Sequence, residues 1–207
     1  MPLLQKDKKS SINDNINNET DKELVKKICE GDDLALKEIM NRYKYKLHPF
    51  IISYVKDEDL AYDILQETFI KLFLKANTFN PSYNFSTWLY QIAINLCRDY
   101  ARKNKIRQFI SLDKNIDNEG NNNSYIDILS DSSEDIEKTA NMRQEVNILS
   151  AEINKLPHKL KTALILYTIE NHSQEKCAEI LDVTTKTIET IIYRARKILI
   201  ERTNIDK

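Results

Sequence analysis

The chain has 207 residues, 41% of them hydrophobic and 30% charged, an ordinary balance for a folded protein with room for one large domain or two small ones. Two glycines and four prolines are too few for a many-stranded sheet and point to long helices with few junctions. No apolar run nears the roughly 20 residues that span a bilayer. The first twenty residues lack the apolar core of a secretory signal. Three scattered cysteines (Cys29, Cys97, Cys177) form no C-x-x-C pair, and the three histidines do not cluster beside them. A membrane protein, a secreted disulfide scaffold and a zinc site are disfavoured; the expectation is a cytosolic chain with reduced thiols packed on helices, no metal and no cofactor.

The formal net charge is -1, but its distribution is uneven. Residues 21–103 carry 13 bases and 12 acids, residues 104–145 carry 5 and 9, and residues 146–207 carry 10 and 8. The acidity lies in the middle and the last stretch is basic, compatible with nucleic-acid binding without establishing it.

Residues 1–20 are polar and are expected to be disordered. From Asp21 a helical period begins, with Leu24 and Ile28 apolar and Thr20 or Asp21 as cap. Gly31-Asp32 reads as a stop and a new cap, followed by Leu34, Ile39, Tyr43 and Leu47 on one stripe. Pro49 either kinks this second helix or marks a local start. A third helix is predicted from about Glu58 to Ala76, a loop with Pro81 over 77–86, and a fourth helix from about Thr87 to Lys103. Residues 111–135 are rich in Asn, Asp and Ser and read as a flexible acidic linker. Its apolar residues Tyr125, Ile126, Ile128 and Leu129 are candidates for docking on a partner. Helices are predicted again at 140–155, 158–170, 174–181 and 185–202.

The segment SQEKCAEILDVTTKTIETIIYRARKIL has the spacing of a helix-turn-helix. Ser173 caps a short helix with Cys177, Ile180 and Leu181 inward and the small Ala178 at the crossing. Asp182-Val183 makes the turn, and Thr184 or Thr185 caps the next helix. That helix has an inner stripe of Ile188, Ile191 or Ile192, Ala195 and Leu199. Its outward residues include Thr185, Lys186, Thr187, Glu189, Thr190, Tyr193, Arg194, Arg196 and Lys197. Hydroxyls and cations in its first half suit base edges of a major groove, and the later cations suit phosphates. A solvated amphipathic helix would share the periodicity; the short helix, plugged turn and long basic helix together favour DNA.

In the first half, Asp57, Glu58, Asp59, Asp63 and Glu67 gather toward the start of the third helix, where its dipole favours acids. No base or metal ligand stands at matching spacing, so they are not paired catalytic carboxylates. Leu65, Phe69, Leu72 and Phe73 give that helix more apolar width than one stripe needs. The stretch FNPSYNFSTWLYQIAINLCRDYARKNK sets Phe79, Tyr83, Phe85, Trp88 and Tyr90 beside Arg98, Arg102, Lys103 and Lys105, the mixture that a site for unstacked bases requires.

In series, the runs ELVKKICEGDDLALKEIMNRY, DILQETFIKLF, FSTWLYQIAINLCRDYARK, LPHKLKTALILYTIENHSQEKCAEIL and TIETIIYRARKIL resemble the extracytoplasmic-function group of bacterial sigma factors. They cover nearly all of residues 21–203 in that family's order. The resemblance implies an all-α chain of two small helical domains: sigma region two over 21–105, a linker over 106–139 and region four over 140–207. It implies a non-enzymatic subunit of RNA polymerase. Asp63, Gln66, Glu67, Phe69, Leu72 and Phe73 would dock on the clamp helices of the beta-prime subunit of core polymerase. Asn80, Ser86, Trp88, Tyr90, Gln91, Asn95, Arg98, Arg102 and Lys103 would melt and read the minus-10 element as single strand. The helix-turn-helix would read the duplex minus-35 element and touch the beta flap, and an anti-sigma factor would mask these faces. The chain itself would make no membrane contact.

Two departures from the family pattern bear on the target sequence. Asp182 stands where glycine is common in the turn, and Glu189-Thr190-Ile191 stands where a basic run is frequent on the recognition helix. Glu189 has the chemistry to accept from a cytosine amino group, and Ile191 to pack inward. The rival readings are a sigma-like mimic that sequesters an anti-sigma factor and a helix-turn-helix regulator with a separate dimerising or ligand-binding domain.

Overall fold

The computed structural model describes residues 19–112 and 136–203, with the side chains of 19–104 and 142–203. Helix α1 (Asp21–Cys29) opens on a capping box: the Glu23 amide donates to Thr20 Oγ1, and the Thr20 amide donates to the Glu23 carboxylate at 2.7 Å. Gly31, at φ +87°, turns the chain into α2 (Asp33–Val55), where Asp32 accepts from the amide of Leu34 at 2.8 Å. Arg42 on α2 bonds Asp21 at 3.0 Å and the Glu19 carbonyl at 2.7 Å, tying the two helices together. The helix runs through Pro49 without a break.

Helix α3 (Glu58–Lys75) is capped by Asp57, whose carboxylate accepts from the Leu60 amide, and ends in a single 3-10 turn at Ala76–Thr78. Asn84 starts α4 (Phe85–Leu112): its side chain accepts from the Ser86 amide at 3.0 Å and its carbonyl from the Trp88 amide. These four helices enclose Leu24, Ile39, Leu47, Phe50, Ile51, Ile64, Leu72 and Leu89, all removed from solvent. Each such side chain contributes on the order of 1.5–3 kcal/mol relative to remaining exposed.

The second half begins with α5 (Ile136–Asn154) and α6 (His158–Leu164), the latter continuing as a π turn over Ile165–Ile169. Then come α7 (Gln174–Leu181) and α8 (Thr185–Thr203). A small core of Leu156, Leu164, Ala195 and Leu199 holds α5, α6 and α8 together. Ile165, Leu166, Cys177, Ile180 and Ile188 are buried in a second layer that is continuous with the core of the first four helices. The two halves pack directly on one another, α7 along α4 and the π turn against α2.

The all-α, two-domain expectation is met, with corrections at the edges. Helix α4 extends to Leu112 and α5 starts at Ile136, so both ends of the 106–139 span expected to be linker are helical. No glycine or proline occurs between Pro81 and Gly120, and the segment after Lys103 has enough good helix formers to continue. The middle of that span, with Tyr125 to Leu129, lies outside the described residues, as does the N-terminal tail before Glu19. Glu19 and Thr20, assigned to that tail, are part of the α1 cap. The thiol expectation holds for Cys97 and Cys177, which are buried, whereas Cys29 is exposed on α1. Among the described residues no helix is long and apolar enough to cross a membrane.

Candidate nucleic-acid interface

The helix-turn-helix is formed by α7, the turn at Asp182-Val183, and α8. Ser173 caps α7 by accepting from the Lys176 amide at 3.2 Å, and Thr184 is the cap of α8, accepting from the Thr187 amide at 3.2 Å. Asp182 ends α7 in the left-handed region at φ 52°, which explains why glycine would suit this position. Ile188, Ile192, Ala195 and Leu199 form the buried stripe of α8, while Ile191 and Val183 are half-buried. Lys186, Thr187, Glu189, Thr190, Tyr193, Arg194, Arg196 and Lys197 are all exposed, and Thr185 is half-buried. The Thr190 hydroxyl donates back to the Lys186 carbonyl at 3.0 Å, and the Arg196 guanidinium lies 5.7 Å from the Tyr167 ring. One continuous face of α8 therefore presents hydroxyls near its positive end and cations further along.

On α3 the structure separates residues that the sequence grouped. Asp63, Gln66 and Phe73 are exposed and Glu67 is half-buried, paired with Lys71 at 3.4 Å. Phe69 and Leu72 are buried in the domain's own core and present nothing to a partner. The apolar surface of this helix consists instead of Tyr62, Ile70 and Leu74 together with Phe73. Ile70 and Leu74 were missed because a wide apolar stripe does not reveal which edge faces inward.

The α4 residues are likewise divided. Asn80, Asn95, Arg98, Arg102 and Lys103 are exposed, and Ser86, Trp88 and Gln91 are half-buried. Trp88 packs on Phe79 and Phe85 at ring separations of 5.2 and 6.0 Å. Tyr90 is buried: its hydroxyl donates to the Lys46 carbonyl, and its ring meets Phe50 and His172 edge-on. Tyr90 therefore offers no stacking face in this arrangement, a correction to the expected base-reading role. Gln91, Asn95 and Arg98 line a cleft of about 280 Å³ whose far wall is His158, Lys159 and the turn between α7 and α8.

A second polar cluster joins the halves. The Tyr54 hydroxyl and Nδ1 of His158 share a hydrogen bond of 2.5 Å, and Lys161 Nζ donates to the Tyr54 carbonyl at 2.5 Å. Burial, reinforced by Arg98, Lys161 and Lys159, pushes the His158 imidazole down to about 4. Burial also raises the Tyr54 phenol to about 12, the Cys97 thiol to about 12 and the Glu170 carboxyl to about 7. No sequence pattern announces these pairs, because their members lie about a hundred positions apart. Among the described residues no group of three or more His, Cys, Asp or Glu side chains is placed to hold a metal ion.

Residues 39–106 match Sigma-70 region 2 and residues 147–199 match Sigma-70, region 4. An ECF RNA polymerase sigma-E factor of Haemophilus influenzae is 31% identical over 192 residues, covering 87% of this chain and 93% of that protein. The ECF RNA polymerase sigma factor SigW of Bacillus subtilis is 31% identical over 178 residues, covering 86% and 94%. Among solved structures, CnrH in complex with the cytosolic domain of CnrY superposes with a TM-score of 0.60 at 21% identity, covering 90% of this chain and 99% of that one. The sigma factor RpoE with the anti-sigma factor NepR from Bartonella quintana gives 0.56 at 24% identity, covering 83% and 98%. These two likenesses support the fold. The chain belongs to the sigma-70 family, and within it to the extracytoplasmic-function sigma factors that direct RNA polymerase in transcription initiation.

Proposed function

We propose that the chain binds core RNA polymerase through the exposed face of α3, reads duplex minus-35 DNA with α8, and captures the opened minus-10 strand with α4. The observation that carries this reading is the face of α8, where eight DNA-suited side chains stand exposed on one N-capped helix behind a buried aliphatic stripe. Strand opening needs no chemical step. Displacing a base from its stack costs a few kcal/mol, which contacts to the extruded base must offset. The half-exposed Trp88 ring on its Phe79–Phe85 support, with Asn95, Arg98 and Arg102 beyond it, supplies aromatic and cationic groups for that purpose. The chain acts without catalysis of its own, in the cytoplasm where polymerase works. An anti-sigma factor is the expected regulator, since both structural relatives described above carry a bound protein and one of these, NepR, is an anti-sigma factor.

The test is transcription by core polymerase on pooled genomic fragments, with and without the chain. Discrete new start sites are expected only with it, and the double variant Arg194→Ala/Arg196→Ala should weaken them by about tenfold or more, as loss of two well-made phosphate or base contacts implies. Tight binding to core polymerase with no new start sites would overturn the reading in favour of a mimic.

A further inference from the structure

The cations along the second half of α8 are not held alike. Lys197 pairs with Glu201 at 3.9 Å, and Arg202 reaches Glu152 at 3.6 Å. Arg194 and Arg196 are both exposed, and neither has an ion pair among the described residues. They differ in one respect. The Arg196 guanidinium lies over the ring of Tyr167, 5.7 Å from its centre, whereas Arg194 has no ring contact among the described residues. A cation over an aromatic face within about 6 Å is attracted by the negative face of the ring.

The ring is placed by the segment that precedes the helix-turn-helix. Leu160, Leu164 and Tyr167 follow one another at intervals of four and three, the spacing of one helical face. Leu164 is buried with Ala195 and Leu199 of α8, and Leu160 packs on the same cluster. Tyr167 continues that stripe. It is half-buried against the core, and its ring reaches Arg196, the residue next to Ala195. It sits in the middle of the π turn, where the Glu170 amide donates to the Ile165 carbonyl five residues back at 3.1 Å. Such wide turns are uncommon and recur at functional sites. The Tyr167 hydroxyl makes no hydrogen bond among the described residues, so the ring itself is the contact.

We propose that Tyr167 is a positioning residue for promoter recognition: its ring holds the Arg196 guanidinium at the surface of α8, ready for a phosphate of the minus-35 duplex. This deepens the reading of α8 as the duplex-reading helix and rests on it. An arginine side chain gives up rotamer freedom when it grips a phosphate. A guanidinium already resting on a ring has lost part of that freedom before DNA arrives. Stacking uses the face of the guanidinium and leaves the N–H groups at its edge for phosphate oxygens. Arg194, alike in charge and exposure, has no such support.

The test is equilibrium binding of the holoenzyme, core polymerase with the full chain, to a fluorescent duplex promoter recovered by transcription. Tyr167→Leu keeps apolar volume and removes the ring, while Tyr167→Phe keeps the ring. Tyr167→Leu should weaken binding about two- to fivefold, and Tyr167→Phe should match the wild type. The loss should vanish in the Arg196→Ala background and persist in full in the Arg194→Ala background, because only Arg196 rests on the ring. Arg196→Ala should also lower the slope of binding against salt by about one. Tyr167→Leu leaves the charge in place and should keep the slope. Thermal melting checks that each variant folds, and Tyr167→Met takes the place of Tyr167→Leu if the latter does not. The same loss from Tyr167→Leu in the Arg196→Ala background, or binding by Tyr167→Phe as weak as by Tyr167→Leu, would overturn the positioning role. Unchanged binding with both Arg194→Ala and Arg196→Ala would overturn the reading of α8 itself, and the role of Tyr167 with it.

Discussion

At the scale of single residues, burial separates side chains of one chemistry into two roles. Phe69 and Leu72 fill the core of the first domain, and truncating either to alanine should lower stability by about 2–5 kcal/mol in urea unfolding. Phe73→Ala and Ile70→Ala, on the exposed face, should change stability by no more than about 0.5 kcal/mol while weakening binding to core polymerase. Equal destabilisation by all four would contradict the division. The apolar excess of α3 was legible in the sequence, but its orientation was not. A polar residue decides it: Thr68 is fully buried, its hydroxyl donating to the Ile64 carbonyl, so the stripe turns toward a side that a hydrophobic count would call polar. Tyr90 shows the same limit, since an aromatic beside cations reads as a stacking platform until its burial is known.

At the scale of elements, most helix starts were legible because each has a capping side chain with one chemical reason to be there: Thr20, Asp32, Asp57, Ser173 and Thr184. Helix ends were less legible. Nothing in the run after Lys103 stops a helix, and continuation through Leu112 reflects propensity alone. The change from α6 to a π turn at Ile165 has no signature among residues that favour either form. The turn of the helix-turn-helix yields a direct prediction. Asp182 sits at φ 52°, where a side chain is strained and glycine is not, so Asp182→Gly should stabilise the chain by about 0.5 kcal/mol after allowance for the freer unfolded glycine. Thermal melting of the full chain measures this, and a lowered midpoint would show that the Asp182 side chain supports the turn in a way its backbone angles do not explain.

At the scale of the whole molecule, two domains that the sequence separated by a linker are joined by buried ionisable groups. His158 faces Tyr54 of α2, Arg98 of α4, and Lys159 and Lys161 of α6, and burial followed by these cations holds its pKa at about 4, below the ordinary 6.5. His172, beside Tyr90 and Lys176, shifts in the same direction because it is buried. A base with a depressed pKa binds fewer protons in the folded chain than in the unfolded one, so its contribution is neutral above pH 6.5 and destabilises the fold as pH falls toward 4. Glu170, near Tyr90, behaves oppositely: burial raises it from 4.5 to about 7, so its cost to the folded state grows as pH rises through that window. The two effects oppose each other between about pH 4.5 and 6.5. Glu170→Gln removes one of them, so the thermal midpoint of that variant should fall more between pH 6.5 and 4.5 than that of the wild type. Identical profiles would show that the burial of Glu170 does not bear on stability in this range. None of this coupling was legible in the sequence, since periodicity describes each helix against its own neighbours and carries no information on contacts a hundred residues away.

The central claim is that a sigma factor of this architecture selects and opens promoters through α8 and α4, and template opening tests it most directly. Transcription by core polymerase should be compared on duplex promoters and on the same promoters with the minus-10 strands already mismatched, using the wild type and Trp88→Ala. The account predicts discrete starts with the wild type on both templates, and loss with Trp88→Ala on duplex that is largely restored on the pre-opened template. Full activity of Trp88→Ala on duplex DNA, or no discrete starts with the wild type on either template, would contradict it.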